Sequence, residues 1–453
     1  MKKETWSSQT TFLFATISCS VGLGNLWRFP YVAGENGGGA FVLVYLACVL
    51  IIGIPAIMAE LAIAKRGHSN PVATTAAVSL EETGHSRWQA IGWLSILAPL
   101  VALSFYGVVS AWALDYLLLA VQGRFVEADQ AQTAALFDEL LASPIKMLLW
   151  FTLVIATVAM VVGSGVRAGI ERVSKLMMPA LFLLLFGLAM YSMLIGQTSA
   201  AVSFLFKPDF SKLTAEGMLM AVGQALFSLA VGTGAILTYG AYLSTRTSIT
   251  QSAWTIGIAD TMAAMLAGLL IFPIVFASGL DPAEGPGLIF VTLPIAFSDM
   301  PGGVLFATLF FLLVLFAAFT SGLGMMEPAV SWLEDRPGWT RRRAAASIAV
   351  LIWILGLGAV FSFNLWRDFT PLDFIPQMQG RTVFSILDFV TSNLVLPLNA
   401  LMIALLAGLV IDQGRMRADI AMKTATAWSL WRFSMRFVAP LAITAMFIVN
   451  LLE

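Results

Sequence analysis

An all-α polytopic membrane protein is the fold class the sequence predicts, on three observations. Hydrophobic residues make up 59% of the 453 and charged residues only 11%, where a soluble domain carries roughly 25%; mean hydropathy is +0.88. The apolar residues gather into runs of about 20, the length a bilayer demands. Two of these runs are interrupted by glycines and small polar residues. Eleven spans are read, at approximately 9–34, 39–64, 88–121, 147–166, 176–196, 216–243, 251–279, 302–333, 344–365, 382–411 and 429–452.

Taken in order, the first span is the most informative. Its centre reads Ser18-Cys19-Ser20-Val21-Gly22-Leu23-Gly24-Asn25. Each glycine costs a helix interior about 1 kcal/mol, and an unwound turn survives in hydrocarbon only where its bare N–H and C=O groups face a ligand, an ion or water. The run is too long for a cleaved signal peptide and shows no small-residue cleavage pattern before Arg28-Phe29-Pro30. Cys19 and Cys48 fall mid-membrane in different spans, so no disulfide framework is expected. His68 and His85 fall in the loop after the second span and read as solvated residues. After the third span, Asp129 to Ala142 has the apolar spacing of a short amphipathic helix.

The sixth span holds the second break, Phe227-Ser228-Leu229-Ala230-Val231-Gly232-Thr233-Gly234. Breaks in spans one and six put five helices between repeat starts, and an odd-numbered unit repeats inverted in the membrane. One such segment is explained by glycines that let helices pack closely; two in register point to a binding site. The seventh span carries Asp260, an ionisable group at a depth where a charge needs a partner. The stretch 281–301, rich in Pro and Gly, is either a lid folded into the membrane or a solvated loop. The eighth span sets Thr320 and Ser321, adjacent oxygen donors, in an apolar helix.

Orientation follows from basic residues. Eighteen of the 25 lysines and arginines fall on one side and seven on the other, which places the N-terminus in the cytoplasm; an odd number of spans then leaves Glu453 outside. The net charge of −1 gives no reason to invoke nucleic acid. Gly37-Gly38-Gly39 lacks the Lys-Ser/Thr of a phosphate loop, so no ATP site is expected. A hydrolase would need a nucleophile and base, and no histidine lies within the spans.

Ser20 to Pro30, followed by Glu35-Asn36-Gly37-Gly38-Gly39-Ala40-Phe41, closely resembles the opening motif of the neurotransmitter:sodium symporters. Gly223 to Leu229, Phe319-Thr320-Ser321 and Trp332-Leu333-Glu334-Asp335 are similar to later motifs of the same family. The likeness covers nearly the whole chain and is nearest the bacterial eleven-helix branch, which carries amino acids. It implies the leucine-transporter-like 5+5 inverted repeat within a single domain, residues 1–453. About 1–200 would hold helices 1–5, about 201–412 helices 6–10, and about 413–453 helix 11. It also implies a bacterial inner-membrane location and a monomer or weak dimer in the bilayer.

The resemblance implies two sodium ions. The first would be held by the Ser20 carbonyl, Asn25, Ser228, Asp260 and the substrate carboxylate. The second would take the carbonyls of Ser18, Val21 and Ala317 with the hydroxyls of Thr320 and Ser321. A lone hydroxyl in a helix more often bonds back to the preceding turn; the adjacent pair and the motif favour a ligand role. The family commonly has Asn where this chain has Asp260. Tyr45, Gln224 and Ser228 match chloride-site positions, but Ala264 replaces the family's Ser or Glu. Two sodiums, a zwitterion and one carboxylate sum to +1, so Asp260 is expected to stand in for chloride. Protonated Asp260 making a neutral hydrogen bond is the alternative.

For the substrate, the resemblance implies Tyr106 and the N–H groups of Leu23 and Gly24 on the carboxylate, at the positive end of a half-helix. The ammonium would meet backbone carbonyls near Ser20, Phe227 and Ser228. Gly22 stands where monoamine carriers place an aspartate, which favours an α-amino acid. Cys19, Ala102, Ala230, Thr233, Ser321 and Met325 would complete the pocket beneath Phe227. Its small side chains favour bulky or aromatic L-amino acids; small neutral amino acids, or a channel or sensor on the same frame, are the alternatives. Arg28 and Asp388 match an outer gate; Lys3, Trp6, Tyr239, Tyr242 and Asp335 match an inner one. Gly169 and Pro179 resemble the Gly-X9-Pro element that lets span five unwind. Glu60 and Glu327 are read as holding backbone amides or polar neighbours.

Overall fold

In the computed structural model the described residues are all except 1–3, 127–129, 245–246, 281–286, 299 and 453. Among them the regular structure is helical, and nine uninterrupted helices are long and apolar enough to cross a membrane. These are Gly39–Gly67, Gln89–Val121, Pro144–Gly163, Val166–Ile195, Ile249–Ala277, Gly303–Glu334, Arg341–Phe361, Val383–Val410 and Ala425–Leu451. The two remaining apolar segments are broken: Gln9–Ser20 resumes as Gly24–Arg28 and Phe29–Glu35, and Ala215–Ser228 resumes as Ala235–Ala241.

Most span boundaries fall within a few residues of the sequence expectation. The fifth differs: it starts at Val166 and not near 176, directly after the fourth ends at Gly163. Arg167, Arg172 and Lys175 read as a loop, yet they lie in the helix: Arg167 is held by Thr5, distant in sequence, and Lys175 by Glu171 one turn earlier. The loop after the second span contains the helix Pro71–Thr83, capped by Asn70 at Ala73 N–H, 3.0 Å. Gln130–Ala142 is the short helix the apolar spacing predicts; Asp129 lies outside the described residues. Within 281–301 the described residues 287–298 are helical and mostly buried, while Met300 and Pro301 form a bend and an exposed turn. Leu288–Ser298 is helical and buries Phe290 and Phe297, with Phe290 stacked parallel on Phe137 at 5.5 Å.

The two broken segments pack against each other and against the long helices. Gln9–Ser20 packs on Gly303–Glu334, Arg172–Ile195 and Ile249–Ala277; Ala235–Ala241 packs on Ile54–Gly67. Gly303–Glu334 and Gln89–Val121 lie against each other along their length. Both breaks therefore face the third, seventh and eighth spans at the centre of the bundle.

Candidate functional site

The first helix starts at Ser8, whose hydroxyl accepts Thr11 N–H at 3.2 Å, and leaves helical geometry at Val21, ψ 91. Asn25 then folds back, its Oδ1 accepting Gly22 N–H at 3.1 Å. Gly22 is needed for close approach: a Cβ there would collide with Ser321 Oγ and stand 3.0 Å from Tyr106 Oη. In the second break the requirement is conformational. Ala230, Gly232 and Gly234 have φ of 54, 79 and 77, the left-handed region that glycine enters freely.

An unwound peptide in a buried interior needs partners on both faces. Glu60 Oε1 accepts Gly232 N–H at 2.7 Å and Asn399 Nδ2 donates to Gly232 C=O at 2.6 Å. Asn399 is itself held by Ser95 Oγ at 3.0 Å. Glu60 thus holds a backbone amide, as its mid-span position suggests. Asn399 was missed; its signal was an amide side chain in the apolar second half of the tenth span.

Around Asn25 the side chains form a closed polar knot. Asn25 Nδ2 donates to Ser228 Oγ at 2.8 Å, to Asp260 Oδ1 at 2.9 Å and to Asp260 C=O at 3.1 Å. Ser228 Oγ donates to Asp260 Oδ2 at 2.6 Å, and Tyr45 Oη lies 3.4 Å from Ser228 Oγ. Gln224 Nε2 donates to Gly24 C=O at 2.8 Å. Asp260 is fully buried, and no cationic side chain forms an ion pair with it among the described residues. Every group on this carboxylate is a neutral donor, so an ionised Asp260 would need a cation from outside the chain to balance it.

On the eighth helix the Thr320 hydroxyl donates to Phe316 C=O at 2.9 Å, the back-bond expected of a helical threonine. That bond uses its proton and leaves its oxygen lone pairs. Ser321 Oγ is buried without a hydrogen-bond partner and faces Gly22 and Tyr106. Ser18 Oγ donates to Ala15 C=O at 2.9 Å and meets Ser174 Oγ at 3.2 Å. Val21 and Ala317 are fully buried on the two packed helices.

Between the breaks lies a cavity of about 40 Å³ lined by Cys19, Ser20, Gly22, Leu23, Gly24, Ala102, Tyr106, Phe227, Ala230, Thr233, Ser321 and Met325. These are the residues the resemblance placed around a substrate, with one exception. Ser228 does not line the cavity, because its side chain turns into the Asn25–Asp260 knot. Pro99, Phe105 and Leu396 complete the wall and were not anticipated. Leu23 N–H donates to Tyr106 Oη at 3.3 Å, so the two groups expected on a substrate carboxylate pair with each other here.

A vestibule of about 340 Å³ opens directly beyond, sharing Leu23, Gly24, Phe105, Tyr106 and Phe227 with the inner cavity. Aromatic residues dominate its wall, and Arg28 and Asp388 both line it. They form no ion pair among the described residues: the Arg28 guanidinium lies over the Phe227 ring at 4.7 Å, and Asp388 accepts from Ser392 Oγ at 2.9 Å. The expected pair is therefore open in this conformation. At the opposite end Trp6 is buried, with Nε1 donating to Tyr239 C=O at 2.9 Å and N–H to Tyr242 C=O at 3.3 Å. Tyr242 Oη donates to Glu327 at 2.8 Å, and Glu327 meets Arg341 at 2.5 Å. Asp335 accepts from Asn70 Nδ2 at 2.6 Å; Lys3 lies outside the described residues. Gly169 sits in a wide π-type turn, Val166–Glu171, and Pro179 inside the wound helix that follows.

Two interrupted helices, a buried carboxylate without a fixed cation and a cavity with one open and one plugged approach define an ion-coupled membrane carrier. The model of the sodium:neurotransmitter symporter family matches residues 3–134 and 138–453. An uncharacterized sodium-dependent transporter of Bacillus subtilis is 35% identical over 450 residues, covering 99% of this chain and 97% of the relative. The sodium-dependent dopamine transporter of Bos taurus is 24% identical over 499 residues, covering 99% of this chain and 69% of its own. The crystal structure of MhsT in complex with L-phenylalanine superposes with TM-score 0.90 at 37% identity, covering 99% of this chain and 100% of that one. The chain belongs to the sodium:neurotransmitter symporter family. It is a multi-pass, sodium-dependent transporter and not an enzyme.

Proposed function

We propose that the protein imports bulky or aromatic hydrophobic L-amino acids together with two sodium ions, by alternating access and without chloride. The observation that carries this reading is that the two broken helices supply both Asn25 and Ser228 to the knot around Asp260 and most of the wall of the Phe227-lidded cavity. Sodium takes about five or six oxygens, carbonyls freed by unwinding among them. Ser20, Asn25, Ser228 and Asp260 would hold one ion; Ser18, Val21, Ala317, Thr320 and Ser321 the other. An amino-acid carboxylate entering between Leu23, Gly24 and Tyr106 would part their bond and join the first ion's shell. Arg28 and Asp388 would then close the vestibule before Trp6 and Tyr242 part from each other. Water would reach the second ion as the fifth helix frays at Gly169.

In this reading the two broken segments join the nine uninterrupted ones as eleven crossings in two inverted repeats, residues about 1–200 and 201–412. The N-terminus lies in the cytoplasm of a bacterial cell and the C-terminus outside. Small Ala102, Ala230 and Thr233 with adaptable Met325 favour a large apolar side chain, and the similar MhsT structure holds L-phenylalanine. The small inner cavity, about 40 Å³, favours a second reading, the import of small neutral amino acids.

One experiment separates the two. In proteoliposomes with an inward sodium gradient, labelled leucine uptake is expected to be displaced by Trp, Phe and Leu at least tenfold better than by Gly or Ala. Gluconate in place of chloride is expected to leave uptake unchanged. A reversed competition order would establish the second reading, and loss of uptake in gluconate would end the assignment of Asp260 as the resident anion.

A further inference from the structure

The N-terminal strand is bound to the fifth helix as well as to the plug. Gly165, at φ 116, breaks the chain away from the fourth helix, so the fifth starts with bare N–H groups. Glu4 supplies their acceptor: its Oε2 takes Val166 N–H at 2.7 Å and Arg167 N–H at 3.3 Å. A carboxylate there also faces the positive end of the helix dipole. Arg167 answers with Nε to Thr5 C=O at 2.5 Å and Nη2 to Thr5 Oγ1 at 3.0 Å. One turn further, buried Glu171 accepts Ser7 N–H at 3.1 Å and the Ser7 hydroxyl, and pairs with Lys175 at 2.8 Å.

Between these two anchors the same strand turns Trp6 the other way, into Tyr239 and Tyr242. The anchors bracket the turn Val166–Glu171, which contains Gly169. From the same helix Ser174 reaches Ser18 on the first break. The strand cannot withdraw Trp6 without also removing both anchors of that turn.

We propose that Glu4 is a positioning residue that keeps the fifth helix wound at Gly169 while Trp6 is seated, so that unplugging and unwinding are one event. This rests on the reading of Trp6 and Gly169 given above. Opening of the plug uncaps the helix, and fraying carries water towards Ser174 and Ser18, the side of the second ion. The coupling is reciprocal, because the bonds are shared: loosening the helix at Glu171 also loosens the strand.

Hydrogen–deuterium exchange of the purified full-length protein in sodium tests this. Loss of a capping acceptor of this kind predicts roughly tenfold faster exchange across 165–171 in Glu4→Ala. Glu4→Gln is expected to fall between, and Glu4→Asp to restore protection in part. Glu171→Gln is expected to speed exchange across 5–8 in return. Unchanged exchange in 303–334 reports that each variant is folded. Exchange across 165–171 that stays at the unmodified rate in folded Glu4→Ala, or faster exchange confined to 4–8, would overturn the proposal. Absence of sodium-driven uptake by the unmodified protein, with the exchange coupling intact, would count against the transport reading and not against the latch.

Discussion

Sodium-driven uptake by Asp260→Ala is expected to fall by roughly a hundredfold while the protein still inserts and purifies as a folded carrier. Asp260 is fully buried, and its carboxylate receives only neutral donors, from Asn25 and Ser228. Removing one member of a buried charge pair costs about 3–5 kcal/mol, and 3 kcal/mol is more than two powers of ten in ion affinity. The alanine also takes one acceptor from Asn25 Nδ2 and the carboxylate acceptor from Ser228 Oγ, adding to the loss. Asp260→Asn separates charge from hydrogen bonding, because it keeps an oxygen in place. Its uptake is expected to need about tenfold or more extra sodium and to become responsive to an added anion. Uptake measured against sodium concentration, with and without chloride, checks both variants. Unchanged sodium dependence in Asp260→Asn would mean that the carboxylate is neutral in the carrier.

Gly22→Ala is expected to reduce uptake by about ten- to a hundredfold and to raise the sodium concentration that the remaining uptake needs, because the methyl displaces Ser321 Oγ. The added methyl meets Ser321 Oγ and Tyr106 Oη, where the first break packs against the third and eighth helices. Overpacking a well-filled site typically costs about 1–3 kcal/mol, and here the displaced groups line the central cavity. Gly24→Ala is the milder companion, since its methyl would sit 3.1 Å from the edge of the Phe227 ring, a tight contact and not a collision. Equal losses in the two variants, measured as initial uptake rates, would argue for a general packing defect.

The breaks were legible in the sequence because their signal is local: glycines and small polar residues within a few positions, inside runs otherwise apolar. The cavity wall came from the family resemblance and not from a local pattern; of the residues it implied only Ser228 turned elsewhere, while Pro99, Phe105 and Leu396 were missed. What was not legible depends on partners far away in the chain. The first turn of the fifth helix looks like a loop because Arg167, Glu171 and Lys175 are polar. It is helical because Glu4 and Ser7, more than 150 residues earlier, satisfy it. Asn399 reads as an oddity until Gly232, 167 residues away, offers its carbonyl. The Arg28–Asp388 pair expected from the resemblance is not formed: the residues share the vestibule, but the arginine stacks on Phe227.

Equilibrium binding of a labelled aromatic amino acid to the purified protein, across a sodium titration with potassium as the balancing ion, is the most direct test of a shared ion and solute site. Binding is predicted to vanish without sodium, to tighten steeply as sodium rises, and to lose that dependence in Asp260→Ala. Equal affinity in sodium and in potassium would contradict the account.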